Sequence, residues 1–280
     1  IALGAAYDWD AVPGAKDAYS FYDFDYARHL RRRLSRLKRG KIVLAASKPP
    51  YKCPPAPLET AMIINWWARK KGIRKDLDIS VYIPEPGPLG VAGKEASMGV
   101  RAALDQRGIE LVTGAGVTEV SANGREASFA DGSSTTADII ATVPVHKMPD
   151  IVAASGVSNG KPWVPVNKTN LETATSNVFA IGDVNVVPSG DFAIPKAGVF
   201  AAGQGTKVGE VIASRINESD EPEPYDGIGF CYMAYSGGRS ATVGGEFLAE
   251  GGPQTILTDP TVSGMKSKDR FERDWRSFKI

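Results

Sequence analysis

Hydrophobic positions near the start of the chain follow helical spacing. Leu30, Leu34 and Leu37 recur every three or four residues within a strongly basic stretch, which predicts a helix over about residues 24–39 with its leucine stripe facing inward. Gly40 would then cap the carboxyl end of this helix. The arginine-rich outer face could bind an anion, although a solvated helix face is the expected interpretation.

Two continuous apolar runs, at residues 41–46 and 78–83, have the length and composition of buried strands. A helical segment from Leu58 to about residue 71 connects them and stops at Gly72. This β-loop-α-β order is the building block of parallel nucleotide-binding sheets. The sequence therefore predicts an α/β fold with a parallel sheet.

The same unit continues beyond the second strand. It adds a helix at about 94–107, a strand at 109–112, a hairpin turn at Asp131-Gly132 and a closing strand at 137–142. An Asp-Gly pair between short alternating segments is a strong hairpin signal. We place this domain at about residues 41–150.

A second module follows this domain. Strands are predicted at 163–166 and 178–181, a turn at Gly182–Val184, and a helix of small residues from Lys196 to about residue 215. A linker rich in proline and glutamate comes next, before a β-rich stretch at 229–248. The predicted segments are, in chain order, 1–40, 41–150, 151–220 and 221–280.

Composition narrows the class of protein. The chain has 280 residues, 42% hydrophobic and 23% charged, as expected for a globular protein of about two domains. Its net charge of +1 offers no bulk attraction for nucleic acid, an anionic membrane or a polyanionic substrate. No apolar run approaches the roughly 18 residues of a membrane-spanning helix. Two cysteines and the widely spaced His29 and His146 lack zinc-ligand spacing, so no metal site is expected.

The first five residues resemble the interior of a folded protein rather than a chain start. Ile1–Ala5 contains neither methionine nor a polar leader, and it has the composition of the end of a buried strand. We therefore expect residues upstream of Ile1.

The loop between the first strand and its helix, Ser47–Pro57, is rich in proline where a dinucleotide-binding unit carries G-x-G-x-x-G. Proline has no N–H to offer a pyrophosphate, so this unit should lack the phosphate site of a nicotinamide-binding domain. The loop supplies Cys53 instead, beside Lys52 and just before a helix N-terminus, and both neighbours are expected to lower the pKa of its thiol. A buried, inert cysteine is the alternative.

The segment Thr169–Asp183, which contains N-V-F-A-I-G-D, resembles the second flavin fingerprint of the glutathione-reductase-like flavoproteins, a family with two dinucleotide domains. In that family the aspartate accepts hydrogen bonds from the ribityl region of FAD. Ile1–Ala5 is similar to the family's earlier A-T-G segment, with Leu3 in place of threonine. The resemblance implies two Rossmann-like domains, the first incomplete, a small β-rich C-terminal segment, and FAD as the cofactor.

Three further segments are similar to the sulfide dehydrogenase branch of this family, which includes sulfide:quinone oxidoreductases and flavocytochrome c flavoproteins. Tyr51–Glu59 matches a Y-[RK]-C-P-P-x-P-[YL]-E loop, and Ile194–Gly198 matches a P-K-[SA] segment. Phe230–Tyr232, followed by Gly237–Arg239, matches the C-terminal cysteine block. The first flavin fingerprint, G-x-G-x-x-G, is missing and would lie upstream of Ile1.

The resemblance implies that Cys53 and Cys231 form a catalytic redox disulfide, which hydrosulfide attacks. The implied substrate is sulfide, and the implied electron acceptor is a quinone or a c-type cytochrome, at a peripheral membrane or periplasmic location. Lys196 would face the pyrimidine side of the flavin. The implied cofactor-binding residues are Gly4, Gly182, Asp183, Pro195, Lys196 and Ala197.

Some interpretations stay open. Phe271, Trp275 and Phe278 lie among lysines and arginines at helical spacing, which is typical of a membrane-interface helix or of a helix docked on its own domain. Glu59 could accept a proton near Cys53 or merely favour the helix dipole.

Alternatives to a sulfide dehydrogenase are an NAD(P)H-dependent flavoenzyme such as a type II NADH dehydrogenase, a non-catalytic flavoprotein fragment, and a nucleic-acid binder using the arginine-rich helix.

Overall fold

The computed structural model describes residues 1–190 and 192–277. Its helices are α1 (Phe24–Arg36), α2 (Ala56–Lys70), α3 (Gly93–Asp105), α4 (Asp150–Ala154), α5 (Gly198–Ile216) and α6 (Val262–Ser277). Its strands are β1 (Ala6–Asp8), β2 (Gly40–Ala46), β3 (Leu77–Ile83), β4 (Ile109–Thr113), β5 (Val117–Val120), β6 (Glu126–Phe129), β7 (Ser134–Thr136), β8 (Ile139–Val143), β9 (Val145–Lys147), β10 (Val164–Pro165), β11 (Asn185–Val186), β12 (Pro188–Ser189), β13 (Phe192–Ala193), β14 (Ile228–Ser236), β15 (Arg239–Glu246) and β16 (Gln254–Leu257).

Four parallel strands form the central sheet, in the order β4-β3-β2-β8. Ile42 and Leu44 of β2 pack with Met62 of α2 in the larger core, whereas Val43 faces a smaller core shared with Val117 of the β5-β6-β7 sheet. Strands covered on both faces need the continuous apolar runs that the sequence provides. The parallel sheet and the small β-rich C-terminal sheet confirm the predicted α/β class.

The first helix has the inward leucine stripe that its spacing predicts. Leu30 and Leu37 are buried, and Arg28, Arg31 and Arg32 are exposed on the opposite side. Asp23 caps the amino end, where its carboxylate accepts hydrogen bonds from two backbone N–H groups. The basic run is therefore the solvent-facing side of a helix whose apolar side belongs to the larger core.

Gly40 does not cap this helix, so that prediction was wrong. The helix ends at Arg36, and Gly40 begins β2 with φ 133°. A Cβ atom there would lie 2.2 Å from Oδ2 of Asp138, the carboxylate oxygen that accepts a hydrogen bond from the N–H of Lys41 at 3.0 Å. Glycine is needed because a side chain packs directly against the backbone at this point.

The predicted strand at 178–181 is also not a regular strand. Phe179 forms an isolated bridge with Glu172, and the N–H of Ile181 donates a hydrogen bond of 2.9 Å to the carbonyl of Ile1. The start of the chain therefore lies alongside the segment that leads into the Gly182 turn. The small core beneath it contains Leu171, Val187 and residues of α5.

A three-stranded antiparallel sheet, β14-β15-β16, closes the fold. Met233 and Tyr235 of β14 are buried in the larger core next to α2, and α6 packs across β14 and β15. This arrangement places the C-terminal part of the chain over the amino end of α2. Within the described ranges, every helix is too short or too polar to cross a bilayer.

Candidate functional site

The loop that carries Cys53 lies at the carboxyl end of β2, and several hydrogen bonds fix it. The N–H of Cys53 donates to the carbonyl of Lys196 at 2.8 Å, and the carbonyl of Cys53 accepts from the N–H of Ala56 at 2.8 Å. The hydroxyl of Tyr22 donates to the carbonyl of Lys52 at 2.7 Å. Cys53 has the left-handed φ of 49°, so its conformation is specified by these contacts rather than by local preference.

Cys231 lies in the middle of β14, and its thiol lies close enough to the thiol of Cys53 for the charge state of each to affect the other. Both cysteines are half-buried, and no disulfide joins them in this structure. The fold thus brings together two sulfurs that lie far apart in the sequence. Their adjacency is what any exchange between dithiol and disulfide requires.

The two thiols differ in acidity, and the pKa of Cys53 shifts in the direction opposite to the one that its neighbours in the sequence predicted. Interaction with the neighbouring thiol of Cys231, together with burial, raises the pKa of Cys53 well above its usual value. The pKa of Cys231 is lowered to about 7, chiefly by its interaction with the Cys53 thiol, with further contributions from the N–H of Tyr232 and the charge of Lys268. Lys52 does not assist Cys53, since its ammonium lies 4.4 Å from the centroid of the Tyr7 ring.

An ion pair lies beside the two cysteines. Nζ of Lys268 in α6 is 2.5 Å from Oε1 of Glu59 in α2 and 3.3 Å from the carbonyl oxygen of Tyr232. Only 12% of the Glu59 side chain and 32% of the Lys268 side chain are exposed. Both charges act on Cys53 and Cys231. Glu59 is therefore not a free helix-start carboxylate, because its charge is already paired.

The Gly-Asp turn is built on a buried glutamine. Gly182 has φ +74°, and its N–H donates to Oε1 of Gln204 at 2.6 Å. The same oxygen accepts from Nδ2 of Asn185 at 2.9 Å. Asp183 lies at the turn, and its carboxyl is half-buried. Burial raises the pKa of this carboxyl, although the positive charges of Lys196 and Lys52 act in the opposite direction. A turn fixed in this way presents its carboxyl in one orientation.

Lys196 is a buried cation rather than a surface charge. It is 8% exposed, and its ammonium donates to the carbonyls of Asp183 at 2.6 Å and Asn185 at 3.0 Å. The ammonium also lies 3.5 Å from the centroid of the Trp163 ring. Burial lowers the pKa of Lys196 to about 8, although the charge of Asp183 opposes the shift.

The remaining predicted cofactor residues flank these groups. Pro195 and Ala197 adjoin Lys196, and Ala197 is the N-cap of α5 with no side chain to cap it. The first N–H groups of this 19-residue helix thus add a positive pole beside the lysine. Gly4 has φ +66° with open space where a Cβ atom would be, so its backbone is accessible to a ligand.

A cavity of about 440 Å³ joins the two halves of the site. Cys53 and Cys231 line it together with Lys196, and Trp163, Phe200 and Phe247 contribute aromatic walls. A mostly apolar cavity with a few convergent polar groups is the usual form of a small-molecule site. Within the described residues, no group of three or more His, Cys, Asp or Glu side chains has the arrangement of a metal site.

Side chains of the protein fill the region in which a nicotinamide-binding domain would hold its cofactor. Tyr51, which is 4% exposed, lies in the proline loop, and its hydroxyl interacts with the carboxyl of Glu85. Glu85 follows β3, where an acidic residue of a dinucleotide-binding domain hydrogen-bonds the ribose. Burial raises the pKa of Glu85. Sequence reasoning missed this pair, although the acid after the second strand was a visible signal.

The C-terminal helix docks on its own domain. The ring of Phe271 lies 5.7 Å from that of Tyr232 and 5.9 Å from that of Trp275, while Lys268 points to Glu59. Of the three predicted aromatic positions, Phe278 lies outside the described residues. The face of α6 that carries Lys268 and Phe271 is thus directed at β14.

Comparison with known proteins identifies the class. The model of the pyridine nucleotide-disulphide oxidoreductase family matches residues 58–206, which is more than half of the chain. The chain therefore belongs to that family of oxidoreductases.

Two curated relatives specify the resemblance further. Over 202 residues the chain is 24% identical to the mitochondrial sulfide:quinone oxidoreductase of Mus musculus, covering 68% of this chain and 44% of that protein. Over 204 residues it is 24% identical to the mitochondrial sulfide:quinone oxidoreductase of Schizosaccharomyces pombe, with the same two coverages, 68% and 44%. The chain thus spans less than half the length of these relatives.

A solved structure agrees with this resemblance at the level of the fold. The sulfide:quinone oxidoreductase of Aquifex aeolicus superposes with a TM-score of 0.82 at 19% identity, over 98% of this chain and 66% of that one. Together with the curated relatives, this likeness confirms the resemblance to the sulfide:quinone oxidoreductase branch of the family.

Proposed function

We propose that this protein oxidises sulfide with bound FAD, through a disulfide formed by Cys53 and Cys231, and passes the electrons to a quinone or a c-type cytochrome. The contact between the two thiols at the wall of the cavity is the observation that supports this proposal most directly. Two thiols with perturbed pKa values that meet at a cavity from distant parts of the chain are characteristic of a functional site.

The residues present fit FAD. Gly182 and Gly4 have the positive φ that lets a ligand approach the backbone, and Asp183 offers a carboxyl to ribityl hydroxyls. Lys196 and the uncapped start of α5 supply positive charge beside Pro195 and Ala197. When bound, FAD supplies a two-electron acceptor for the dithiol.

The sulfur chemistry needs only the two cysteines and the substrate. In the oxidised protein, the sulfur of hydrosulfide attacks one Sγ, and the bond between the two Sγ atoms breaks. The attacked cysteine becomes a persulfide, and the other leaves as a thiolate. The proline loop, fixed to Lys196 through the N–H of Cys53, holds Sγ of Cys53 next to Sγ of Cys231.

Nicotinamide oxidation is disfavoured by the same loop. Prolines replace the glycine loop, and the Tyr51–Glu85 interaction uses the acid that a ribose would need. We therefore prefer sulfide to NAD(P)H as the electron donor. The electrons would pass to a quinone or a c-type cytochrome, at a peripheral membrane or periplasmic location. The mostly apolar cavity is compatible with an apolar acceptor such as a quinone.

The experiment compares Cys53→Ser, Cys231→Ser and the control Thr60→Ser in the full-length protein. The readout is anaerobic loss of the flavin absorbance band on addition of sulfide, or separately of NADH. We expect sulfide to reduce the parent and the control, and neither cysteine variant. A cysteine variant that is reduced at the parent rate, or a parent that responds only to NADH, would refute the proposal.

A further inference from the structure

Basic residues are concentrated in one stretch of the chain. Residues 28–75 contain fifteen lysines and arginines but a single acidic residue, Glu59, although the whole chain has 33 basic and 32 acidic residues. Glu59 is itself paired with Lys268. The near-zero net charge therefore conceals a local excess of positive charge, most of which the proposed function does not use.

The parallel sheet gathers part of this excess at one edge. Strands β2, β3 and β4 run in the same direction, and at their amino ends Gly40 pairs with Leu77 and Ile79 pairs with Ile109. Basic residues come shortly before each of these strands: Lys38 and Arg39 before β2, Arg74 and Lys75 before β3, and Arg107 before β4. Because parallel strands begin at the same edge of a sheet, these residues lie at the edge opposite to the one where β2 leads into Cys53.

A shallow pocket of about 490 Å³ opens at this edge of the sheet. It is lined by four cations, together with Gln106 and Gly108: Arg69, Arg74, Lys75 and Arg107. Over residues 1–190 and 192–277, none of the four lies within ion-pair distance of a carboxylate. Asp78 is the acidic residue whose charge acts on Arg74, and the charge of Arg69 opposes it.

Neutral acceptors hold the two inner guanidinium groups of the pocket in place. Arg74 donates hydrogen bonds to the carbonyls of Leu77 at 2.6 Å and Gly108 at 2.7 Å. Its Nε donates to Oδ1 of the buried Asn65 at 2.7 Å. Arg107 donates in the same way to carbonyls of α3 and β14. These hydrogen bonds fix the two side chains, but they do not cancel the two charges.

The helix ends at the pocket do not balance its charge either. The carboxyl ends of α2 and α3 lie there, and each favours a cation through a partial charge of roughly −0.5. Two such ends offset about one of the four positive charges. Arg69 and Lys75 are exposed, and their side chains donate to no acceptor in the described part of the chain. The remaining charge and the unused N–H groups are what an anion requires.

We propose that this edge of the sheet binds a multivalent phosphate group, which Arg69 and Lys75 hold together with the unused Nη2 group of Arg107. A guanidinium group offers two parallel N–H donors that match two phosphate oxygens, and hydrogen bonds between ions are stronger than those between neutral groups. The phosphate belongs either to a soluble phosphate ester or to a lipid headgroup, since both present the same oxygens. The inference does not rest on sulfide oxidation, because the pocket is at the other edge of the sheet.

Isothermal titration calorimetry with pyrophosphate at low ionic strength tests the proposal in the full-length protein. The protein is loaded with FAD and then freed of excess FAD, so that the flavin site does not take up the probe. Arg69→Gln and Lys75→Gln are combined in one variant, because neither side chain has a hydrogen-bond partner whose loss would disturb the fold. The matched control, Lys161→Gln with Lys168→Gln, removes two exposed lysines from another part of the chain.

We expect pyrophosphate to bind the parent and the control with the same affinity, and to bind the Arg69→Gln, Lys75→Gln variant roughly tenfold more weakly. An equal loss of affinity in the control would show that overall charge rather than the pocket attracts the probe, and it would overturn the proposal. A parent that does not bind pyrophosphate would overturn it as well.

Cosedimentation with vesicles of equal parts phosphatidylglycerol and phosphatidylcholine identifies the source of the phosphate. If the Arg69→Gln, Lys75→Gln variant loses vesicle binding along with pyrophosphate binding, and the control loses neither, the phosphate is that of a lipid headgroup. If only pyrophosphate binding is lost, it is that of a soluble ester. Vesicle binding by a parent that fails to bind pyrophosphate would contradict the assignment of the pocket.

Discussion

The backbone N–H of Cys53 donates a hydrogen bond of 2.8 Å to the carbonyl of Lys196. This bond joins the loop that carries one sulfur to the segment that carries the buried ammonium, although the two belong to different parts of the fold. The side chain of Lys196 is in turn tied to the turn at Asp183. Two hydrogen bonds thus join these three elements at the site.

Replacing Lys196 by methionine is expected to lower the reduction potential of the bound flavin. The change removes a positive charge that favours an anionic reduced ring, and the shift should be on the order of 30 mV, roughly 1.4 kcal/mol for a two-electron couple. Because the pKa of Lys196 is about 8, the parent side chain becomes neutral above that pH and the difference should shrink there. Spectroelectrochemical titration at several pH values measures it. Lys161→Met, at an exposed position, is the control, and an equal shift in both variants would contradict the assignment.

His146 is expected to make the fold sensitive to acid. Its imidazole is 6% exposed and lies edge-on to Tyr7 and Tyr22 at 5.0 and 5.4 Å, and burial lowers its pKa to about 4 from 6.5. As pH falls, the imidazole of the unfolded chain takes up a proton at a higher pH than the buried imidazole of the folded protein, which favours unfolding. The contribution of His146 to the free energy of unfolding is therefore complete above about pH 6.5 and is lost as pH falls through 4, by roughly 3 kcal/mol in total.

The check is the free energy of unfolding of His146→Phe and of the parent at several pH values. The variant should lose less stability than the parent between pH 6.5 and 4, whereas His29→Phe, at an exposed site on α1, should follow the parent. Parallel curves for parent and His146→Phe would show that the imidazole does not govern this range.

The ion pair between Glu172 and Arg215 should stabilise the fold above acidic pH. The guanidinium contacts both carboxylate oxygens, at 2.7 and 2.8 Å, and lowers the pKa of Glu172 to about 2 from 4.5. Its contribution is therefore complete above about pH 4.5 and is lost as pH falls through 2.

Glu172→Gln should consequently unfold at a lower temperature than the parent at neutral pH, and the gap should close in acid. Thermal unfolding followed by circular dichroism at both pH values measures this. A gap that persists unchanged near pH 2 would mean that packing rather than charge accounts for it. The pair matters for the site because it fixes the segment before the Gly182 turn to α5.

Gly229→Ala is expected to disturb the wall of the cavity. A Cβ atom there would lie 2.2 Å from the ring of Phe200, which is 5% exposed and packs edge-on against Phe247 at 5.0 Å. The clash should cost roughly 1–3 kcal/mol of stability. In Gly209→Ala the new methyl group of α5 meets no atom within 4 Å, so this control should be neutral or up to about 1 kcal/mol more stable. Denaturant unfolding distinguishes the two.

Local sequence patterns predicted most of the α/β unit, because apolar runs and helical spacing report on neighbouring residues. The strands at Ile42 and Ile79 and the leucine stripe on α1 follow directly from such patterns. The acidity of Cys53 was predicted with the wrong sign, since the partner thiol and the burial that raise its pKa come from β14.

The ion pair at the site could not be found in this way. Lys268 lies well downstream of Cys231, in a helix whose aromatic residues left a membrane contact open as an alternative, and only the packing of α6 on β14 brings it to Glu59. Gly40 was assigned to a helix end for a similar reason, because nothing near it in sequence indicates Asp138.

The late position of α6 along the chain has a consequence for biosynthesis. A nascent polypeptide acquires both sulfurs before the cationic helix has emerged from the ribosome. A product that stops short of residue 262 would contain the whole cysteine pair but none of the helix that contacts Glu59. In such a product, Glu59 would lie beside the two sulfurs without the compensating charge of Lys268.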